Sequence, residues 1–196
     1  MLKLNIGAGS DLRKDYVNID LHSRSEIETR YGIILPDDIE IKKCDIFNLP
    51  YTDETVDQVL CLGFLEHLSF EDEGRFFREV QRVLKKGAGV FHFTVPDFDS
   101  LARQWIDAED SFKDFYVTGV DEHWFGNGNR TLKNKWGYLT ASIFGNQNGS
   151  GQFHKNAYTE KKVRAIMEKL NFYYTISNFD FKDTGVKMIE CKALKL

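Results

Sequence analysis

Five short apolar runs constrain the fold of this chain more than any other feature: Leu2–Ile6, Tyr16–Asp20, Ile39–Cys44, Val56–Leu62 and Val90–Val95. They are rich in β-formers, and several run unbroken rather than alternating with polar residues. Unbroken runs mark strands buried on both faces, and such strands belong to parallel sheets flanked by helices. The helices are also legible. Ser69-x-x-Asp72 makes a capping box ahead of Phe76, Phe77, Val80, Val83 and Leu84, which form one apolar stripe. Lys85-Lys86-Gly87 supplies cations for the last turn and a glycine to end it. A second helix starts at Thr159, with Val163, Ile166, Met167 and Leu170 on one face. Two further strands follow, Phe172–Phe181 and Val186–Leu194, joined by a tight turn at Lys182-Asp183-Thr184-Gly185. The expected fold class is therefore α/β: a Rossmann-like seven-stranded sheet, mostly parallel, with an antiparallel C-terminal hairpin strand.

A length of 196 residues suits a single domain over 1–196. The regular alternation fails between about 98 and 155. That segment holds Trp105, Phe112, Trp124, Trp136 and Phe153, and two Gly/Asn stretches, Gly126–Asn129 and Gly145–Gly151. It reads as an insertion of helices and loops lying over the carboxyl edge of the sheet and covering the site there. With 42% hydrophobic and 29% charged residues, the chain reads as globular rather than disordered, and no window approaches a membrane span. A formal charge of −4 gives no field for nucleic acid or an acidic membrane. Only Arg130, Lys133 and Lys135 form a basic cluster. Cys44, Cys61 and Cys191 are odd in number and lie in apolar runs, and Met1-Leu2-Lys3-Leu4 lacks the apolar stretch of a secretion signal. Both features predict buried thiols in a cytoplasmic protein. No Cys or His spacing suggests structural zinc.

The first strand runs into "LNIGAGS", so the backbone at Gly7-Ala8-Gly9 passes close to something. A dinucleotide fingerprint needs a small residue where Leu12 stands. Its acidic residue also lies about 20 positions on, whereas Asp20 follows Gly9 by eleven. More telling is a series: Gly7/Gly9, Asp20, Asp45 and Leu62-Gly63-Phe64-Leu65-Glu66-His67 fall at successive strand ends. In a doubly wound sheet, that is the edge where ligands bind.

The stretches "LNIGAGS", "VNIDL", "CDIFNLPYTDETVDQVLCLGFLEHL", "REVQRVLKKGAGVFHFTVP" and "FHKNAYTEKKVRAIMEKLNF" resemble the class I S-adenosylmethionine-dependent methyltransferases over about residues 2–96 and 150–195. The likeness is greatest to the short bacterial enzymes of surface-sugar and small-molecule pathways, in which the first helix is cut down. The resemblance implies S-adenosylmethionine as cofactor and S-adenosylhomocysteine as product. It implies that Gly7, Ala8 and Gly9 pass under the methionyl and ribose part and that Asp20 accepts from both ribose hydroxyls. Asp45 takes the adenine amino group, with Ile46 and Phe47 packed on the ring. Leu62 and Gly63 flank the methionyl end, and His67 closes over it. The chain departs from the family at Asn5, where an acid is common; the amide oxygen can hold the turn or meet the cofactor ammonium. Some relatives bind a divalent metal through Glu-x-x-Glu-His. Here Gly63 stands in the first glutamate's place, which leaves Glu66 and His67, with His154 as a further ligand in principle, and no metal site is expected.

Methyl transfer is an in-line displacement in which the protein chiefly positions and desolvates. An amine or thiol acceptor needs little help, whereas a sugar hydroxyl needs a base. The candidates are His67, Asp97, His123 and His154, with His154 and His67 favoured because the fold brings both to the carboxyl edge. His22 and His92 read as structural. The expected partner is a small-molecule substrate, a sugar hydroxyl among the options, with no membrane or nucleic acid. Two other readings stay open: a non-catalytic methyltransferase-like subunit that binds a partner through the aromatic insertion, and an NAD-dependent oxidoreductase or epimerase.

Overall fold

The computed structural model describes residues 1–107, 135–145, 147, 151–181 and 186–196. Seven strands form one sheet: β1 (Lys3–Ile6), β2 (Val17–Asp20), β3 (Ile41–Lys43), β4 (Gln58–Leu62), β5 (Val90–Pro96), β6 (Phe172–Asp180) and β7 (Lys187–Lys195). Their order is β3-β2-β1-β4-β5-β7-β6. The first five are parallel, and β7 enters antiparallel between β5 and β6. The helices are α1 (Arg24–Tyr31), α2 (Phe70–Val83), α3 (Phe98–Ile106), α4 (Lys135–Phe144) and α5 (Glu160–Lys169). The order reverses between β1 and β4, so the switch-point crevice opens at their carboxyl ends. The expected α/β architecture is what the chain adopts. Within the expected insertion, α3 and α4 are described. The basic cluster, His123 and the tight turn at 182–185 lie outside the described residues or their described side chains.

The predicted stripe of α2 packs on the sheet. Phe77 meets the rings of Phe91 and Phe93 edge-on at 6.0 and 6.4 Å. Val163 and Met167 of α5 join the same core. Gln81 of α2 donates to the carbonyl of Leu170 at 2.7 Å and ties the two helices together. A separate small core of Leu101, Leu139, Val186 and Met188 seats α3 and α4 over the start of β7. Among the described residues, no helix is long and apolar enough to cross a membrane.

Two local expectations need correction. Ser69 caps α2 by accepting from the Asp72 amide, but the helix stops at Val83 rather than at Gly87. Leu84 is drawn into a bridge with Val56, and Lys85 N donates to Val56 O at 3.0 Å, so the chain turns extended before the glycine. The first crossover is also not merely shortened: no helix stands between β1 and β2. The following helix, α1, went unread. Ser23 and Glu26 close a full capping box on it, and Gly32 ends it in the left-handed region.

Two buried asparagines hold the helix-free crossover. Asn18 is 0% exposed and Asn5 2%. The Asn5 amide donates to Asp11 O (2.7 Å) and Asn18 Oδ1 (2.9 Å). Asn18 Oδ1 also accepts from Arg13 N, and its amide donates to Arg13 O, Tyr16 O and Glu40 O. One side chain thus satisfies backbone groups of Arg13 and Tyr16 in the crossover and ties them to Glu40, ahead of β3. Replacing Asn18 by Leu orphans several of these buried groups at once, at about 1–3 kcal/mol each when unrelieved. We expect Asn18→Leu to lose about 3 kcal/mol or more in urea unfolding. A loss under about 1 kcal/mol would mean that the crossover holds itself.

Candidate functional site

The carboxyl ends of β1 to β5 border a cleft of about 1140 Å³. Of the predicted site residues, Gly7, Ala8, Gly9, Asp20, Asp45, Ile46, Phe47, Leu62, Gly63, His67 and His154 all line it. Asn5 does not. Its amide hydrogens are spent on the crossover, and this small buried amide beneath the turn has a scaffold task instead.

The two glycines of the first turn are needed for different reasons. Both sit at positive φ, +69° at Gly7 and +51° at Gly9. A β-carbon on Gly7 would lie 2.1 Å from Cδ2 of Phe64, whose ring fills the space and packs edge-on against Phe76. A β-carbon on Gly9 would meet only the Tyr31 hydroxyl, at 3.3 Å. The protein's own packing therefore demands a glycine at 7, while the space beside Gly9 is left to the cleft. Gly9 N donates to Asp20 Oδ2 at 2.9 Å, so the acid at the end of β2 shapes the turn directly. Asp20 Oδ1 accepts from the His22 amide and from His22 Nδ1. The far side of that imidazole meets Arg30.

Beyond β3, Asp45 is exposed and its Oδ1 caps the Phe47 amide at 2.9 Å. The Phe47 ring is held by the Arg75 guanidinium 4.5 Å from its centroid. This arrangement presents a flat apolar surface beside a carboxylate.

The other end of the cleft is built from the single 3-10 turn Leu65–His67 and the strand-like segment 151–158. Gly63 at φ +61° turns the chain out of β4. Lys155 N and Asn156 N both donate to Glu66 O, at 2.8 and 3.1 Å, and His67 Nδ1 donates to Phe153 O at 3.0 Å. The His67 and His154 rings meet edge-on, with centroids 4.7 Å apart. His154 Nδ1 donates to Ser142 O at 2.9 Å. A carbonyl can only accept, so Nδ1 carries the proton in both rings and the lone pair of each neutral imidazole is on Nε2. Burial pushes His67 below its ordinary value, offset in part by the Phe153 and Gly63 carbonyls. Glu66 is 4% exposed, and burial pushes its carboxyl up to about 8.

The remaining candidates fall elsewhere. Asp97 caps α3 by accepting from Ser100 N. His92 pairs with Glu190 across β5 and β7 at 2.8 Å. The sequence places Glu66 beside His67 at the end of the fourth apolar run but gives no sign that its carboxyl is buried. Its burial arises only when residues 153–156 fold back over it. A glycine-rich composition such as that of Gly145–Gly151 suits a hinge for that segment. At Gly145, however, a β-carbon would lie 2.0 Å from Gln152 O, and Gly145 bridges to Phe153. That end of the stretch is clamped rather than loose.

Comparison with known proteins places this geometry. Residues 6–92 match the family model described as a methyltransferase domain, and S-adenosylmethionine is the methyl donor of that family. An uncharacterized protein of Methanocaldococcus jannaschii is 32% identical over 112 residues, which cover 57% of this chain and 44% of that protein. The chain thus spans under half the length of the curated relative that it matches. A SAM-dependent methyltransferase of Thermotoga maritima superposes with a TM-score of 0.58 at 18% identity, covering 100% of this chain and 82% of the other. The 1,6-didemethyltoxoflavin-N1-methyltransferase of Burkholderia thailandensis, solved with S-adenosylhomocysteine bound, gives 0.59 at 14% identity, covering 99% and 70%. The magnesium protoporphyrin IX methyltransferase of Synechocystis, also with S-adenosylhomocysteine, gives 0.58 at 11%, covering 100% and 74%. The fold is that of the Rossmann-like methyltransferases.

The glycine geometry gives a stability test. Gly9→Ala should remain folded and lose about 1–2 kcal/mol, the cost of a left-handed residue. Gly7→Ala must also displace the Phe64 ring, and thermal unfolding should show a clearly larger loss. Equal losses would contradict the different tasks assigned to the two glycines.

Proposed function

We propose that the chain is an S-adenosylmethionine-dependent methyltransferase that acts on a small-molecule acceptor, a sugar hydroxyl being the acceptor class that its site chemistry suits. The observation that carries this reading is the convergence, on one cleft at the switch point, of a glycine turn, an acid after β2 and an acid with a ring after β3. The match of residues 6–92 to the methyltransferase domain supports it.

In this reading Gly7-Ala8-Gly9 lies under the methionyl and ribose part of the cofactor. Asp20 holds the ribose. Its Oδ2 accepts one bond from Gly9 and its Oδ1 two from His22, and a carboxylate offers about four acceptor sites. One hydroxyl therefore bonds directly, and the second displaces the His22 imidazole. Asp45 takes the adenine amino group, and Ile46 and Phe47 stack on the ring. Leu62 and Gly63 flank the methionyl end. His67 and His154 stand at the acceptor end and activate the hydroxyl. Its oxygen bonds to the methyl carbon as the carbon–sulfur bond breaks. The sulfonium becomes a neutral thioether, and the hydroxyl proton passes to the His154 imidazole. The insertion at about 98–155 covers this end: Ala141, Ser142, Gln152 and Lys155 line the cleft. The three cysteines are free, which favours a reducing cytoplasmic setting.

Two measurements test the reading. Asp20→Ala should weaken S-adenosylhomocysteine binding in calorimetry by about ten- to hundredfold. Unchanged affinity would remove Asp20 from the cofactor site. His154→Ala should bind S-adenosylhomocysteine like the parent but lose about 10²–10⁴-fold in turnover on a hydroxyl acceptor. A parent chain that binds no S-adenosylhomocysteine at all would sink the whole proposal.

A further inference from the structure

The two edges of the sheet are unlike. β3 ends one side with three residues, two of them lysines, and a short charged strand is a poor template for a further one. β6 ends the other side with nine residues. From Phe172 to Phe179 it carries no charge, no proline and no glycine, so none of the usual devices that blunt an edge is present. Among the described residues no strand pairs with its outer side. Thr175, Ser177 and Asn178 are exposed, and Tyr173 is 67% exposed, unusual for so large a ring. We infer that β6 is a dimerisation strand: it pairs antiparallel with β6 of a second copy of this chain, about a two-fold axis at Ile176, and joins the two sheets into one.

The ladder within the chain decides which groups can do this. β6 and β7 pair without a bulge from Phe172–Lys195 to Asp180–Lys187. One step further on, Phe181 N donates to Val186 O at 2.9 Å. Hydrogen-bonded pairs alternate along an antiparallel ladder, so the odd-numbered residues of β6 turn their peptide groups to β7. Those of Tyr174, Ile176 and Asn178 therefore point outward. A second copy must meet even positions with even positions. Centred on Ile176, the axis sets Tyr174 against the partner's Asn178 and Ile176 against the partner's Ile176. Each such pair exchanges two hydrogen bonds.

The side chains agree with this register. Tyr174 and Ile176 pack on the main core, and the Tyr174 hydroxyl donates to Glu168 of α5 at 2.9 Å. The odd-numbered side chains stand on the opposite face of the sheet. There the axis sets Tyr173 beside the partner's Phe179 and Thr175 beside the partner's Ser177. These are positions without ladder bonds, where opposed side chains come closest. An aromatic pair and a hydroxyl pair are both favourable cross-strand matches. Charge does not oppose the pairing. The nearest charged group on the strand is Asp180, and Lys187 of the same chain pairs with it at 3.0 Å. This match of the strand to itself is what favours a second copy over a foreign peptide.

The pairing also reaches the cleft. Phe179 lines it. The partner's Tyr173 then stands at the cleft rim, and each copy supplies a ring beside the other's site.

Analytical ultracentrifugation of the full chain should show a concentration-dependent equilibrium between monomer and dimer. Hydrogen exchange at rising concentration should slow the amides of Tyr174, Ile176 and Asn178. Those of Thr175 and Ser177, already bonded to β7, should change little. Thr175→Lys with Ser177→Lys sets lysine against lysine across the axis and should weaken the dimer about tenfold or more. Thr175→Glu with Ser177→Lys sets opposite charges across the same pairs and should keep it. Both positions are exposed, and circular dichroism checks that the variants fold. A dimer indifferent to the lysine pair, or one that leaves the three outward amides unprotected, would overturn the pairing. So would a parent that stays monomeric throughout the micromolar range, which would leave the edge to a strand of another protein.

Discussion

The buried amide pair Asn5–Asn18 is the contact on which the glycine-turn half of the cleft depends. Parallel neighbours normally need a crossover of a dozen or more residues, usually a helix, and here β1 and β2 are joined without one. The loop itself is partly exposed, but the peptide groups that face the two buried asparagines must find partners there. Asn18 supplies them with both ends of a single side chain, and Asn5 steadies it from the next strand. The glycine turn starts from this platform. Its own geometry is then set by Phe64 on one side and Asp20 on the other.

Much of this was legible in the residues. Unbroken apolar runs gave the parallel strands, because burial on both faces leaves no polar alternation. Helix α2 was legible because five apolar residues recur at one period, and the cleft because glycines and acids follow successive strands. What escaped has physical reasons. Helix α1 buries only Ile27, so it has no apolar stripe; its signal lies in the Ser23–Glu26 box and Gly32. Asn5 departs from the acid common at its position because it serves the crossover. That required knowing that Asn18 stands beside it, a pairing that only the β1–β2 register supplies. The end of α2 was misplaced because a bridge to Val56, distant in sequence, outranked the local glycine signal.

The two ends of the cleft differ in kind. The end beside the glycine turn is made of backbone turns and two carboxylates, Asp20 and Asp45, all set by strands of the parallel sheet. The other end is made of side chains whose positions depend on a long-range clasp: residues 153–156 laid on the Leu65–His67 turn. Substitution in the insertion can therefore reshape the second end while the first stays as it is. This division suits a fold whose neighbours methylate unlike molecules.

The helix-free crossover also bears on the order in which the chain assembles. Asn5 and Asn18 are thirteen residues apart. Val95 finds Ile189, its antiparallel neighbour, only after most of the chain lies between them. Closing the longer loop costs about 2 kcal/mol more in chain entropy. Contacts that are near in sequence form first and lower the barrier for those that are far. The half beside the glycine turn is thus a local structure that can condense as a unit. The half beside residues 153–156 waits on β7 to arrive between β5 and β6, so it is the last part of the cleft to take shape.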